Sequence, residues 1–216
     1  MLCNSYQTSA DWSVTTTAVS DYLFNGVSMT DEKPALQASI TKSTMSGGYF
    51  GTWVSNIDFV DGSDFEADFY AGYAYTNENA LTIDIGISHY TFHGVDASSL
   101  ADFSEGFVKF NYQNSNLNFW YAPDYFGTDA GHYVLMLGHS LQVNDDVSLM
   151  ISIDKSISMD KSRWQWQEGD KDYIHGHITG YYSINGIDFS LGLHGTDLDD
   201  YGDTKLLLTI SRSFDF

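Results

Sequence analysis

The chain has 216 residues, enough for one domain with a sizeable interior, and 29 acidic against 9 basic residues give it a formal net charge of −20. That balance excludes a nucleic-acid partner, since too little is present to neutralise phosphates. No apolar run approaches the ~18 residues of a spanning helix, and the single cysteine, Cys3, forms neither an internal disulfide nor a zinc site, so no cofactor is expected.

Only 2 prolines stand beside 19 glycines, 15 tyrosines, 14 phenylalanines and 5 tryptophans, a balance suited to long antiparallel strands with aromatic girdles. Residues 1–10 have no periodicity. Thr8-Ser9-Ala10 has the small-residue character of a signal-peptidase site, so this stretch reads as a signal-peptide remnant or a flexible extension before a single domain over 11–216.

From Trp12 onward the pattern has period two, which puts alternate side chains on opposite faces of a strand. Residues 12–25 set Trp12, Val14, Tyr22 and Phe24 against Ser13, Thr15 and Asp21. Strands follow at 34–41 and 49–59, the second of unclear phase. Residues 65–75 place Phe65, Ala67, Phe69 and Tyr73 opposite Glu66, Asp68 and Tyr70, and 81–91 place Ile83, Ile85 and Ile87 opposite Asp84 and Ser88. Then come 103–112, 117–122, 132–141 (apolar on both faces) and 147–155. Residues 173–184 and 187–194 flank Asn185-Gly186, the strongest short hairpin signal. The last strand is 204–216, where Leu208, Ile210, Phe214 and Phe216 share one parity. That tail resembles the C-terminal signal by which the outer-membrane assembly machinery recognises a barrel's closing strand.

The count is twelve, the even number that an up-and-down barrel needs to put both termini on one side. The connections agree. Links 42–48, 76–80, 113–116, 142–146 and 185–186 alternate with 26–33, 60–64, 91–102, 123–131, 156–172 and 195–203, and all of the second set but 60–64 are the longer. A β-sandwich has no reason to alternate in this way. The expected fold is all-β: a transmembrane antiparallel barrel of about twelve strands with both termini periplasmic and the long loops outside.

The segments Ser20-Asp21-Tyr22-Leu23-Phe24-Asn25-Gly26-Val27-Ser28, Pro34-Ala35-Leu36-Gln37 and Gly51-Thr52-Trp53-Val54-Ser55-Asn56 resemble, in order and spacing, the proteobacterial TorF-like porin family, also called Gcw_chp. The match covers residues 12 to about 59; beyond it the agreement is barrel periodicity and the terminal Phe216. The resemblance implies an outer-membrane location and a pore, and brings no catalytic residues. Asn25 departs from it, standing where the family pattern has arginine, so any role of that arginine in setting lumenal charge is absent here.

Strand parity directs Asp21, Glu66, Asp68, Asp84, Asp154 and Asp188 toward the lumen, with Lys109 as a basic counterweight. A low-dielectric wall lined by one sign focuses its field on the passage, which predicts passive, cation-favouring transit of small polar solutes. The plainer alternative is that these groups pair among themselves and fill a closed barrel that binds through its loops. With Asn185-Gly186 as a two-residue turn, His177 falls opposite His194 and His175 opposite Thr196, so His175, His177 and His194 join the lumenal set as interior polars, a proton switch or metal ligands.

Most of the remaining acids fall in the predicted external loops, as a solvated surface or as ligands for divalent cations beside lipopolysaccharide phosphates. The densest cluster, Asp197, Asp199, Asp200 and Asp203, only partly resembles a calcium loop. Trp164 and Trp166, beside Lys161, Arg163 and Lys171, read first as an interfacial anchor, and otherwise as a constriction folded into the mouth or a stacking platform for a sugar or amine. Parity turns Arg212 outward on the last strand, to snorkel or to mark a bulge. No catalytic or nucleotide motif is present, so no enzyme is expected, although a Ser–His pair built across strands is not visible to sequence spacing. The expected partners are outer-membrane lipid and lipopolysaccharide, the barrel assembly machinery, and small polar or cationic solutes.

Overall fold

The computed structural model describes residues 11–58, 62–95, 98–200 and 202–216. Residues 1–10, and Asp61 and Asp96 of the acidic loops, lie outside them. Fourteen strands follow in chain order: β1 (Trp12–Val19), β2 (Leu23–Phe24), β3 (Val27–Ser28), β4 (Ala35–Ser43), β5 (Gly48–Asn56), β6 (Phe65–Thr76), β7 (Leu81–His93), β8 (Phe103–Tyr112), β9 (Ser115–Ala122), β10 (His132–Gln142), β11 (Val147–Ser158), β12 (Asp172–Ile184), β13 (Ile187–Thr196) and β14 (Lys205–Asp215).

Twelve of them close a barrel in the order β1-β14-β13-β12-β11-β10-β9-β8-β7-β6-β5-β4, every pair antiparallel. β2 and β3 stand apart as a two-stranded hairpin. Closure leaves no unpaired edge, so the wall satisfies its own backbone donors and acceptors. The seam is made by the two chain ends: Trp12 N donates to Phe216 O at 3.1 Å, and Phe216 N returns a bond to Trp12 O at 2.8 Å.

The connections sort by length. At the end that holds the termini no link exceeds four residues, and at the other end none is shorter than eight. Pairing is unbroken along β14, where Thr16 faces Arg212 and Ser13 faces Asp215, so no bulge reverses the phase. Arg212 therefore stays on the outside, over the ring of Phe214 at 5.0 Å.

Parity divides the wall as the period-two pattern requires. Leu36, Phe69, Ile85, Leu137, Ile153, Leu193 and Leu206 are all more than half exposed on the outer face. Glu66, Asn118, Asp154, Ser156 and His175 are buried on the inner one. The two strands of unclear phase resolve on the same rule: Phe50 points out of β5, while Leu135 and Leu137 point out of β10 and His132 and Val134 point in.

One element departs from expectation. The strand foreseen over 12–25 leaves the wall after Val19, where Ser20 N donates to Leu208 O at 2.9 Å and Ser20 Oγ accepts from Leu208 N at 2.9 Å. The apolar–polar alternation continues past that point, but it belongs to the separate β2–β3 hairpin. Asn25 (φ 48°) and Gly26 (φ 87°) make its two-residue turn, with both central residues in the left-handed region that such turns demand.

Candidate functional site in the barrel interior

The β2–β3 hairpin folds into the lumen. Internally it is fully bonded: Asp21 Oδ1 accepts from Ser28 Oγ at 2.6 Å and Thr30 Oγ1 at 2.9 Å, Tyr22 N donates to Thr30 Oγ1 at 3.1 Å, and Met29 N donates to Tyr22 O at 2.7 Å. Asp21 is thus not a wall residue, as the alternation suggested, but the organiser of the hairpin's base.

The hairpin reaches walls on both sides of the strand from which it springs. β6 and β12 each lie three strands from β1, in opposite directions. On the first side Tyr22 OH donates to Glu66 Oε1 at 3.4 Å, Tyr22 packs on Trp53 at 5.2 Å, and Phe24 meets Tyr90 edge to face at 5.8 Å. On the second side Tyr173 OH donates to Asn25 O at 2.8 Å. Gly26 lies so close to β12 and β13 that a Cβ there would sit 2.5 Å from His175 Cδ2 and 2.8 Å from Thr196 Cγ2. Straight ahead, Phe24 meets Phe126, which comes from the β9–β10 connection six strands away by either route. The hairpin spans the lumen.

Around it the loop end of the barrel is filled by an apolar core of Met29, Ile57, Phe92, Ala101, Phe103 and Tyr125. Trp164 and Trp166 belong here rather than to an exterior belt. Trp166 packs on Tyr125 at 5.8 Å and Tyr173 at 4.6 Å, and Trp164 on Tyr125 at 6.2 Å. Burial, reinforced by the Glu66 and Asp68 carboxylates, holds the Tyr22 phenol well above its usual titration range, so it remains a donor to Glu66.

The sequence-selected polar residues divide into three groups. Glu66 and Asp68 of β6 sit with Glu105 of β8 beside the hairpin; all are buried, and Tyr90 OH donates to Glu105 Oε1 at 3.0 Å. The Glu66 and Asp68 carboxyl groups are buried together and interact with each other. Glu105 lies in β8 on the inner parity shared with Lys109.

The second group lies on the opposite wall. His177 faces His194 and His175 faces Thr196 in the hairpin register. Asp154 Oδ2 and His175 Nδ1 are 2.8 Å apart, and His175 Nε2 and His194 Nδ1 are 3.2 Å apart, a carboxylate–imidazole–imidazole chain. His177 stacks on His194 at 4.7 Å and 13°.

The third group lines a cavity of about 840 Å³ toward the terminus end, walled on one side by Ser13, Thr15, Ser39, Thr41 and Ser213. Asp84 there accepts from Tyr49 OH at 2.7 Å and pairs in register with Lys109, whose ammonium lies over Phe107 at 4.2 Å. Asp188 accepts from Ser183 Oγ near the β12–β13 turn.

Among the described residues no three His, Cys, Asp or Glu side chains gather to hold a metal. Within the Asp197, Asp199, Asp200 and Asp203 stretch, Asp197 Oδ1 accepts from Ile174 N at 2.7 Å and Asp199 N donates to Gln167 Oε1 at 2.8 Å, both contacts that shape the loop. Two cross-strand Ser–His pairs do form, His89 with Ser104 at 3.0 Å and His139 with Ser115 at 2.9 Å. Both sit on the exterior parity, and among the described residues no carboxylate is hydrogen-bonded to either imidazole.

The family model described as a bacterial protein of unknown function (Gcw_chp) matches residues 5–214. The chain belongs to this family. No curated protein matches it. Among solved structures, this Gcw_chp barrel resembles the KdgM porin in complex with disordered oligogalacturonate, with a TM-score of 0.60 and 11% identity over 94% of this chain and 99% of that one. The NanC porin gives a TM-score of 0.60 and 10% identity over 94% and 98%, and an outer-membrane channel from Pseudomonas putida F1 gives 0.55 and 8% over the whole of both chains. At such identities the likeness is one of fold.

Proposed function

We propose that the barrel stands in the outer membrane of a Gram-negative bacterium, termini toward the periplasm, and gives small polar solutes a passive, cation-favouring passage. The apolar outer face supports the membrane setting, since a belt with Leu36, Ile85, Leu137 and Leu193 more than half exposed suits hydrocarbon rather than water. On this reading its surroundings are outer-membrane lipid and lipopolysaccharide, and the seam between Trp12 and Phe216 is what the assembly machinery completes last.

The observation that carries the cation preference is the sign of the interior. Asp84 and Asp188 face it, with Asp154 beside the histidines and Glu66, Asp68 and Glu105 buried beside the hairpin, against Lys109 and Lys205 on the same parity. The hydroxyl-walled cavity supplies a wet vestibule on the terminus side. A second reading, a closed barrel that works through its loops, is favoured by the hairpin that crosses the lumen. A hydrolase is disfavoured, because the Ser–His pairs face outward without an orienting carboxylate. Liposome swelling separates the first two: a channel admits small neutral and cationic solutes faster than anions of equal size, whereas a closed barrel admits none.

A further inference from the structure

The hairpin that blocks the lumen is built as a body distinct from the wall. Its base is tied by Asp21, Ser28 and Thr30, and β2 and β3 pair only with each other. It is held to its surroundings by a few discrete ties: the long 3.4 Å bond from Tyr22 to Glu66, the Tyr173 bond to Asn25 O, the bond from Asp58 N to Met29 O at 2.8 Å, the Lys205–Glu32 ion pair, and ring contacts. Beyond Thr30 come two consecutive non-glycine residues in the left-handed region, Asp31 (φ 51°) and Glu32 (φ 61°). Backbone in that region is strained, and such strain concentrates at hinges and switches. The chain is fixed on either side of the hinge, at Ser20 by Leu208 and at Lys33 by Asp58 at 2.6 Å.

The tip of this body rests on a proton-carrying chain. Gly26 packs against His175 so closely that no Cβ fits, and His175 is held from behind by Asp154 and in front by His194. The contact between His175 Nε2 and His194 Nδ1 needs one nitrogen to donate and the other to accept. Asp154 balances one positive charge on the chain. A second proton leaves both facing nitrogens carrying hydrogen, so the 3.2 Å contact can no longer be a hydrogen bond and two cations confront each other. Lys205, the register partner of His194 on β14, is ion-paired with Glu32 at the foot of the hairpin.

We propose that the β2–β3 hairpin is a proton-released gate: it closes the lumen while the Asp154–His175–His194 chain is intact and leaves its seat when that chain takes up a second proton. This rests on the channel reading above. The other ionisable groups at the hairpin are its own Asp21 and Tyr22, the Glu32–Lys205 and Asp31–Lys33–Asp58 ion pairs at its foot, Tyr173 beside its turn, and Glu66, Asp68, Glu105 and Tyr90 on the far wall. The test must therefore separate the histidine chain from those groups.

The experiment is bilayer conductance at pH 7.5 and 4.5 for three full-length proteins, each checked for heat-modifiable gel mobility. They are the wild type, His194→Gln, and a variant with residues 23–28 replaced by two glycines, a closure allowed because Met29 N already bonds Tyr22 O. The wild type is expected to gain severalfold in conductance at pH 4.5, His194→Gln to lose most of that gain, and the hairpin-replaced barrel to conduct strongly at both pH values. A wild type that conducts equally at both pH values, or a gain that His194→Gln keeps, overturns the gate while the channel reading survives. A hairpin-replaced barrel that folds and never conducts overturns both. Labelling of Asn25→Cys in a Cys3→Ser background, normalised to Met45→Cys at the exposed β4–β5 turn, gives a second readout. Relative labelling that does not rise at pH 4.5 also overturns the gate.

Discussion

Phe24 and Phe126 meet edge to face, ring centroids 6.3 Å apart and planes at 88°, although the hairpin springs from β1 and Phe126 from the β9–β10 connection across the barrel. A contact of that kind exists only if a segment leaves the wall and crosses the lumen. It turns the interior from a uniform tube into an apolar, hairpin-filled loop end and a hydroxylated vestibule near the termini.

The hairpin's order depends on Asp21. Replacing it by Ala removes the acceptor of two hydroxyl bonds and leaves the Thr30 hydroxyl, which is buried, without that partner. Losses of this type cost about 1–3 kcal/mol. Asp21→Ala is expected to raise the rate of proteolytic cutting within residues 22–30 while the barrel keeps its gel mobility. An unchanged cutting rate would argue that the hairpin is ordered by its surroundings instead.

Close packing inside the wall gives a stability contrast. A Cβ at Gly86 would fall 2.4 Å from Phe107 Cζ and 2.5 Å from Ala71 O, whereas at Gly176 the nearest atom is 3.7 Å away. Gly86→Val should destabilise by about 1–3 kcal/mol through overpacking, and Gly176→Ala should be near neutral. Urea denaturation in lipid or detergent measures both; equal effects would contradict the placement of Phe107.

Topology is tested on whole cells. Cysteines at Glu168 and Asp124, both exposed at the loop end, are expected to react with an impermeant thiol reagent. Those at Asn79 and Asn144, exposed in short turns at the terminus end, should react only after the outer membrane is permeabilised. The reverse pattern would invert the barrel.

The closing seam predicts an assembly defect. Both backbone bonds between Trp12 and Phe216 disappear if Phe216 is deleted, and they tie the first strand to the last. The truncated chain is expected to insert more slowly and to accumulate periplasmic degradation products. Full outer-membrane levels would show that the tail is dispensable.

Strand parity made the wall legible, because one face of each strand is apolar and the other polar. The Asn185-Gly186 turn alone fixed the pairing of His177 with His194. The same dipeptide at Asn25-Gly26 was the signal for the inward hairpin. It was masked because Tyr22 and Phe24 continue the parity of Trp12 and Val14, and alternation does not say whether a strand belongs to the wall. Trp164 and Trp166 stay ambiguous in the sequence for a related reason: aromatic residues beside cations suit a membrane interface and a packed mouth equally well, and only the neighbours Tyr125 and Tyr173 decide. The partnership of Asp154 with His175 spans two strands joined by a long connection, whose register no short turn sets.

The most direct test of the central claim is reversal potential across a KCl gradient at pH 7.5 on the hairpin-replaced barrel, with and without Asp68→Asn and Asp84→Asn together. The acid-rich interior predicts a potential of the sign set by K⁺. It should shift toward zero in the double substitution and shrink as salt rises and the Debye length falls from ~10 Å at 0.1 M to ~3 Å at 1 M. A potential near zero, or one of the sign set by Cl⁻, would contradict the account.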